Sequence, residues 1–133
     1  MNRSRRLIVA MVGLLLGPAC SNEPTDDGSQ SGTLYLRLAT PLADDGALLF
    51  EVTGLPVNGA VAVDGSLRLF TWRPDGSTLV GVVLGAITNG AVVALRVPDI
   101  GAAAGYTARL VKVADRQDTL RGSLTGYGLT VGP

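Results

Sequence analysis

The chain carries one cysteine, Cys20, and no histidine, and these two facts bound most of the chemistry open to it. A thiolate is a nucleophile and a metal ligand. Without histidine, the commonest general base and the commonest transition-metal ligand are missing. Serine–histidine and cysteine–histidine nucleophile pairs are excluded, and zinc or copper sites of the usual kinds are not expected. With no second cysteine there is no internal disulfide, so stability must come from packing. A lone thiol is a liability in an oxidising compartment unless something uses it.

The surroundings of Cys20 say what could use it. Arg3, Arg5 and Arg6 precede an apolar run, Leu7–Leu16, and then Gly17-Pro18-Ala19 leads to the cysteine. A basic stretch, a short apolar stretch and a small-residue cleavage site make up an export signal. At about 1.5 Å per residue the apolar run reaches roughly 15 Å, half of a ~30 Å hydrocarbon core, too short for a stable span. Residues 1–19 therefore read as a signal peptide.

This segment resembles the lipobox of bacterial lipoproteins, over about the first twenty-two residues. Ala19 supplies the small residue before the cysteine, whereas Gly17 stands where the family prefers leucine, with Pro18 beside it. The resemblance implies a thioether-linked diacylglycerol on Cys20, cleavage before it, and membrane lipid as the first partner. More than one acyl chain is what makes such anchoring stable. Ser21 after the cysteine implies sorting to the outer membrane if the host is Gram-negative. Simple cleavage after Ala19 would instead give a soluble exported domain with a free thiol.

Residues 20–32 then read as the lipidated N-terminus that this resemblance implies, followed by a tether. Ser21–Gly32 contains no large apolar residue to bury and reads as a flexible polar segment, with an r.m.s. reach of roughly 20 Å. Loss of Arg3, Arg5 and Arg6 with the signal would leave a mildly acidic mature chain, which gives no support to nucleic-acid binding.

Residues 33–133 read as one domain. Valine, leucine and threonine are abundant, glycine punctuates, and no stretch sustains a helical period. Strands are expected at 34–39, 48–53, 60–63, 67–72, 78–88, 91–97, 106–114, 119–123 and 128–131, and a loop over 98–105. Short strands at this spacing argue for an all-β fold, a single antiparallel β-sandwich. By architecture alone it resembles immunoglobulin-like or cohesin-like modules, a likeness that carries no function.

Asn89-Gly90 predicts a type I′ hairpin pairing Thr88 with Ala91. One face would then carry Val80, Val82, Leu84, Ala86, Val93, Leu95 and Val97. The other would carry Gly81, Val83, Gly85, Ala94 and Arg96. At Pro74-Asp75-Gly76 two registers compete. A three-residue loop pairs Phe70 with Val80 and turns both aromatics inward. A four-residue loop pairs Leu69 with Val82 and turns Arg68, Phe70 and Trp72 outward.

In the outward register Arg68, Phe70, Trp72, Val83 and Arg96 form a candidate ligand face holding the only tryptophan. Aromatics among polar groups bind glycans or anchor protein partners. The competing reading is that another strand or loop covers them. Asp44-Asp45 and Asp26-Asp27, each before a glycine, read as turn and tether residues rather than calcium ligands. Asp115, Arg116 and Asp118 read as a solvated turn. Tyr127 is expected to pack its hydroxyl against backbone at a sandwich corner. No paired carboxylates and no glycine-rich phosphate loop are present. The expectation is a non-enzymatic envelope module with no catalytic residues, cofactor or metal. It would bind or scaffold an envelope protein or glycan at the membrane surface.

Overall fold

A computed structural model of the chain describes residues 28–133, so Cys20, the signal segment and most of the tether lie outside the described residues. Eight strands follow in order: β1 Gly32–Ala39, β2 Asp45–Thr53, β3 Gly59–Ala62, β4 Arg68–Asp75, β5 Thr78–Ile87, β6 Gly90–Val97, β7 Thr107–Asp115 and β8 Gly128–Gly132. They form two four-stranded antiparallel sheets, β3-β6-β1-β8 and β4-β5-β2-β7. The two sheets pack face to face as a β-sandwich.

The core follows from period-2 alternation. Leu34, Leu36 and Leu38 of β1 point inward, as do Leu48, Phe50 and Val52 of β2 and Val93, Leu95 and Val97 of β6, and all are buried. Between Leu36 and Arg37 the β1–β6 register shifts, and Val92 is the extra residue on β6. This bulge turns Val92 inward beside Val93, and it too is buried.

β5 departs from the sequence expectation. Leu79, Gly81 and Val83 face the core, while Val80, Val82 and Leu84 face outward. The smaller set is inside because a Cβ on Gly81 would run into the Phe50 ring. The expected β5–β6 hairpin does not form. β5 pairs with β4 and β2, and β6 pairs with β1 and β3. A type I′ turn needs positive φ at Asn89, and Asp118 is the only such non-glycine residue among the described residues. Asn89 serves as a corner between sheets instead, its Oδ1 accepting the Thr40 backbone N–H at 2.7 Å.

The β4–β5 connection is the one place where consecutive strands pair. Its register matches neither expected loop: Phe70 pairs with Val82, Leu69 with Val83 and Asp75 with Thr78. Gly76-Ser77 makes the turn, and Asp75 Oδ1 accepts the Ser77 N–H at 2.8 Å. The register shift between Trp72 and Asp75 places Arg73 and Pro74 in a bulge. Proline, having no N–H to donate, fits a bulge on this edge strand.

Two further segments differ. Ile100–Gly105 is a short 3-10 helix rather than a loop, capped by Asp99, whose side chain accepts the Gly101 N–H at 2.9 Å. The expected strand at 119–123 shrinks to an isolated Ala114–Leu120 bridge. No helix of the described residues is long and apolar enough to cross a membrane.

Candidate functional site

The outer face of the β4-β5-β2-β7 sheet carries the candidate ligand face, in part. Strand pairing lays its outward residues in cross-strand rows. One row runs Arg68, Leu84, Ala47, Ala114, and the next Phe70, Val82, Leu49, Lys112. A third runs Trp72, Val80, Glu51, Arg109. Edge strand β4 contributes Arg68 with the two aromatics, edge strand β7 contributes Lys112 and Arg109, and in these rows the strands between are apolar apart from Glu51. Phe70 is 55% exposed and Trp72 50% exposed, with Leu84 and Leu120 also exposed on the same side. Ala47, Leu49, Val82, Lys112, Ala114 and Leu120 help line a shallow, mostly apolar hollow of about 220 Å³.

The outward orientation of Arg68, Phe70 and Trp72 is thus the geometry of the protein, although through a register not foreseen. Leu67 and Leu69, alternating with them, pack against the core. The rest of the expected face is dispersed. Val83 is fully buried. Arg96 lies on β6, on the outer side of the opposite sheet, beside Thr33 and Asn58. Only a β5–β6 pairing would bring them together, and β5 and β6 lie in different sheets.

The charges on the aromatic face are unequally matched. Arg109 donates to Glu51 at 2.9 Å, an exposed cross-strand pair. Arg68 and Lys112 make no salt bridge among the described residues. Arg73, in the bulge, donates to the Val57 carbonyl and ties the edge strand to the loop before β3.

A second cluster sits at the other end of the sheet, around Asp45, whose side chain is fully buried. Its carboxylate accepts from Thr40 Oγ1 at 2.5 Å, from the Tyr127 hydroxyl at 2.8 Å, and from Arg121 Nη2 at 3.0 Å. Arg121 Nη2 also reaches Asp44 at 2.5 Å, and Asp115 lies 3.9 Å from Nη1. Burial pushes the Asp45 carboxyl up, but hydrogen bonds from Thr40, Tyr127 and Arg121, with the Arg121 charge, hold it below its ordinary value. Hydrogen bonds to Asp45 and Asp44 keep the Arg121 guanidinium firmly protonated. Burial, then the hydrogen bond to Asp45, raises the Tyr127 hydroxyl.

This cluster staples three chain segments together, and sequence reasoning missed it. Asp45 is no plain turn residue, and Tyr127 bonds a carboxylate rather than backbone. The backbone-bonding tyrosine is Tyr106, which donates to the Pro56 carbonyl at 2.7 Å. Asp115 is less solvated than expected: it accepts the Gln117 and Thr119 N–H groups at 2.8 and 3.0 Å. Among the described residues no three His, Cys, Asp or Glu side chains gather as a metal site, and every buried side-chain polar atom has a partner.

Compared with protein-family models, curated proteins and solved structures, the chain has no match.

Proposed function

We propose that this chain is a non-enzymatic, lipid-anchored module of the bacterial cell envelope that works by presenting a contact surface, the outer face of the β4-β5-β2-β7 sheet. The observation that carries the contact surface is the half-exposure of Phe70 and Trp72 side by side on one strand face. Large aromatics are normally packed, and exposed apolar patches rimmed by polar groups mark interaction sites. The anchor part of the reading rests on Cys20 and the segment before it. The same reading takes the sandwich as an immunoglobulin-like or cohesin-like module, on the strength of its two antiparallel sheets and mainly sheet-to-sheet connections.

Intact mass spectrometry of membrane-extracted protein tests the anchor. The expected product runs from Cys20 to Pro133 and carries acyl chains. An unmodified product starting at Cys20 would replace the anchored module with a soluble exported domain.

A further inference from the structure

The outer face of the β4-β5-β2-β7 sheet has three properties that together select one kind of surface. It is flat rather than cleft-like: its hollow beside Leu49 and Leu120 is open and shallow. Small ligands favour concave sites with converging polar groups, and here Glu51 and Arg109 are engaged with each other. Its apolar surface includes a tryptophan and a phenylalanine on the edge strand β4, side chains suited to the boundary between headgroups and acyl chains. Its unmatched charges, Arg68 on the aromatics' own edge strand β4 and Lys112 on the opposite edge strand β7, are both cationic.

The position of the chain's entry adds a fourth. β1 starts at Gly32, which pairs with Val97 at the far end of β6 from the Asn89-Gly90 corner. In the other sheet, Thr78 and the turn after Asp75 lie away from the Asp45–Ile87 pair at the corner end. Trp72 is therefore nearer the end where the preceding segment enters the sandwich. Twelve positions separate Cys20 from Gly32, a length that in a flexible polar chain would reach roughly 20 Å, and sheets in a sandwich pack about 10 Å apart. A chain anchored at Cys20 holds this face within reach of the bilayer at high effective concentration.

We infer that this face lies on the anionic lipid surface to which the chain is anchored, Phe70 and Trp72 at the headgroup boundary and Arg68 and Lys112 on lipid phosphates. The inference rests on the lipid-anchor reading above and names the partner of the face. Juxtamembrane cations contribute roughly 1 kcal/mol each near an anionic surface, which makes the contact dependent on lipid charge and salt.

Trp72 is the single tryptophan, so its fluorescence reports this face alone. The mature chain as recovered from the host cell is mixed with vesicles of phosphatidylglycerol and phosphatidylethanolamine, with or without brominated acyl chains. The expected result is flotation with the vesicles, loss of roughly half the Trp72 emission to brominated lipid, and shielding from iodide. Arg68→Glu with Lys112→Glu should float equally and lose the bromine quenching. Flotation with Trp72 open to iodide and unquenched by bromine overturns the lipid contact and leaves the anchor standing. Flotation with Trp72 shielded from both quenchers also overturns it, in favour of a second copy or another protein. A chain that does not float overturns the anchor and the inference with it.

Discussion

The Asp45 corner and the Trp72 face invert the usual distribution of polarity in opposite senses. At the corner a carboxylate is buried, with Thr40, Tyr127 and Arg121 gathered around it. On the face two aromatics are half exposed on an edge strand. A buried charge left without partners destabilises strongly, so the corner binds its segments into one cooperative unit. A half-exposed aromatic contributes only part of its transfer free energy, so the face is only weakly tied to the fold. The corner serves stability and the face is left available for contact.

Asp45→Asn should produce the largest loss, about 3 kcal/mol in urea unfolding, because it removes the one buried carboxylate beside the mostly buried Arg121 and leaves it the exposed Asp44 and the more distant Asp115. Gly54→Ala should follow at about 2 kcal/mol, since φ there is +111° and a Cβ would run into the Gly105 carbonyl oxygen. Neither change should alter the Trp72 emission of the folded protein, and a shift with either would mean that corner and face are coupled.

Acid should weaken the corner selectively. Asp45 titrates below its ordinary value of 3.8 in the folded chain. The stability it contributes is present above the unfolded value and is lost as pH falls through the lower, folded one. The carboxyls of Asp64, Asp75 and Asp115 are lowered first by backbone hydrogen bonds from Ser66, Ser77 and Thr119, so they act in the same direction. The melting temperature should hold through mild acid and drop below about pH 4. In Asp45→Asn that drop should be shallower; an equal drop would remove Asp45 from the account.

How much of this was legible in the sequence varies along the chain with the source of each constraint. β1, β2 and β6 carry enough alternating leucine, valine and phenylalanine for period-2 reading to locate them, with β2 begun three residues late, and for β6 it also finds Val93, Leu95 and Val97 on one face, missing only the bulged Val92. β5 misleads because Val80, Val82 and Leu84 are bulkier than Gly81, and only the Phe50 ring opposite explains the inversion. Asn89-Gly90 misleads because local turn chemistry says nothing of which sheet the next strand joins. Nothing near Asp45 in the chain announces Arg121, 76 positions away. Leu67 and Leu69 alternating with Phe70 and Trp72 left the inward and outward registers both open, because the turn at Pro74-Asp75-Gly76 does not fix the bulge that sets the pairing, and the placement of Arg96 depends on a pairing that does not occur.

The most direct test replaces Phe70 and Trp72 together by threonine, which keeps strand propensity while removing the aromatic surface. Urea unfolding of this double variant beside the parent protein asks whether the face is surplus to the fold. The account predicts a shift equivalent to less than about 1 kcal/mol per residue, in keeping with half-exposed side chains. A combined loss as large as that of a core aromatic, about 3–5 kcal/mol or more, would contradict it, because the aromatics would then be packed and the face would not be free for contact.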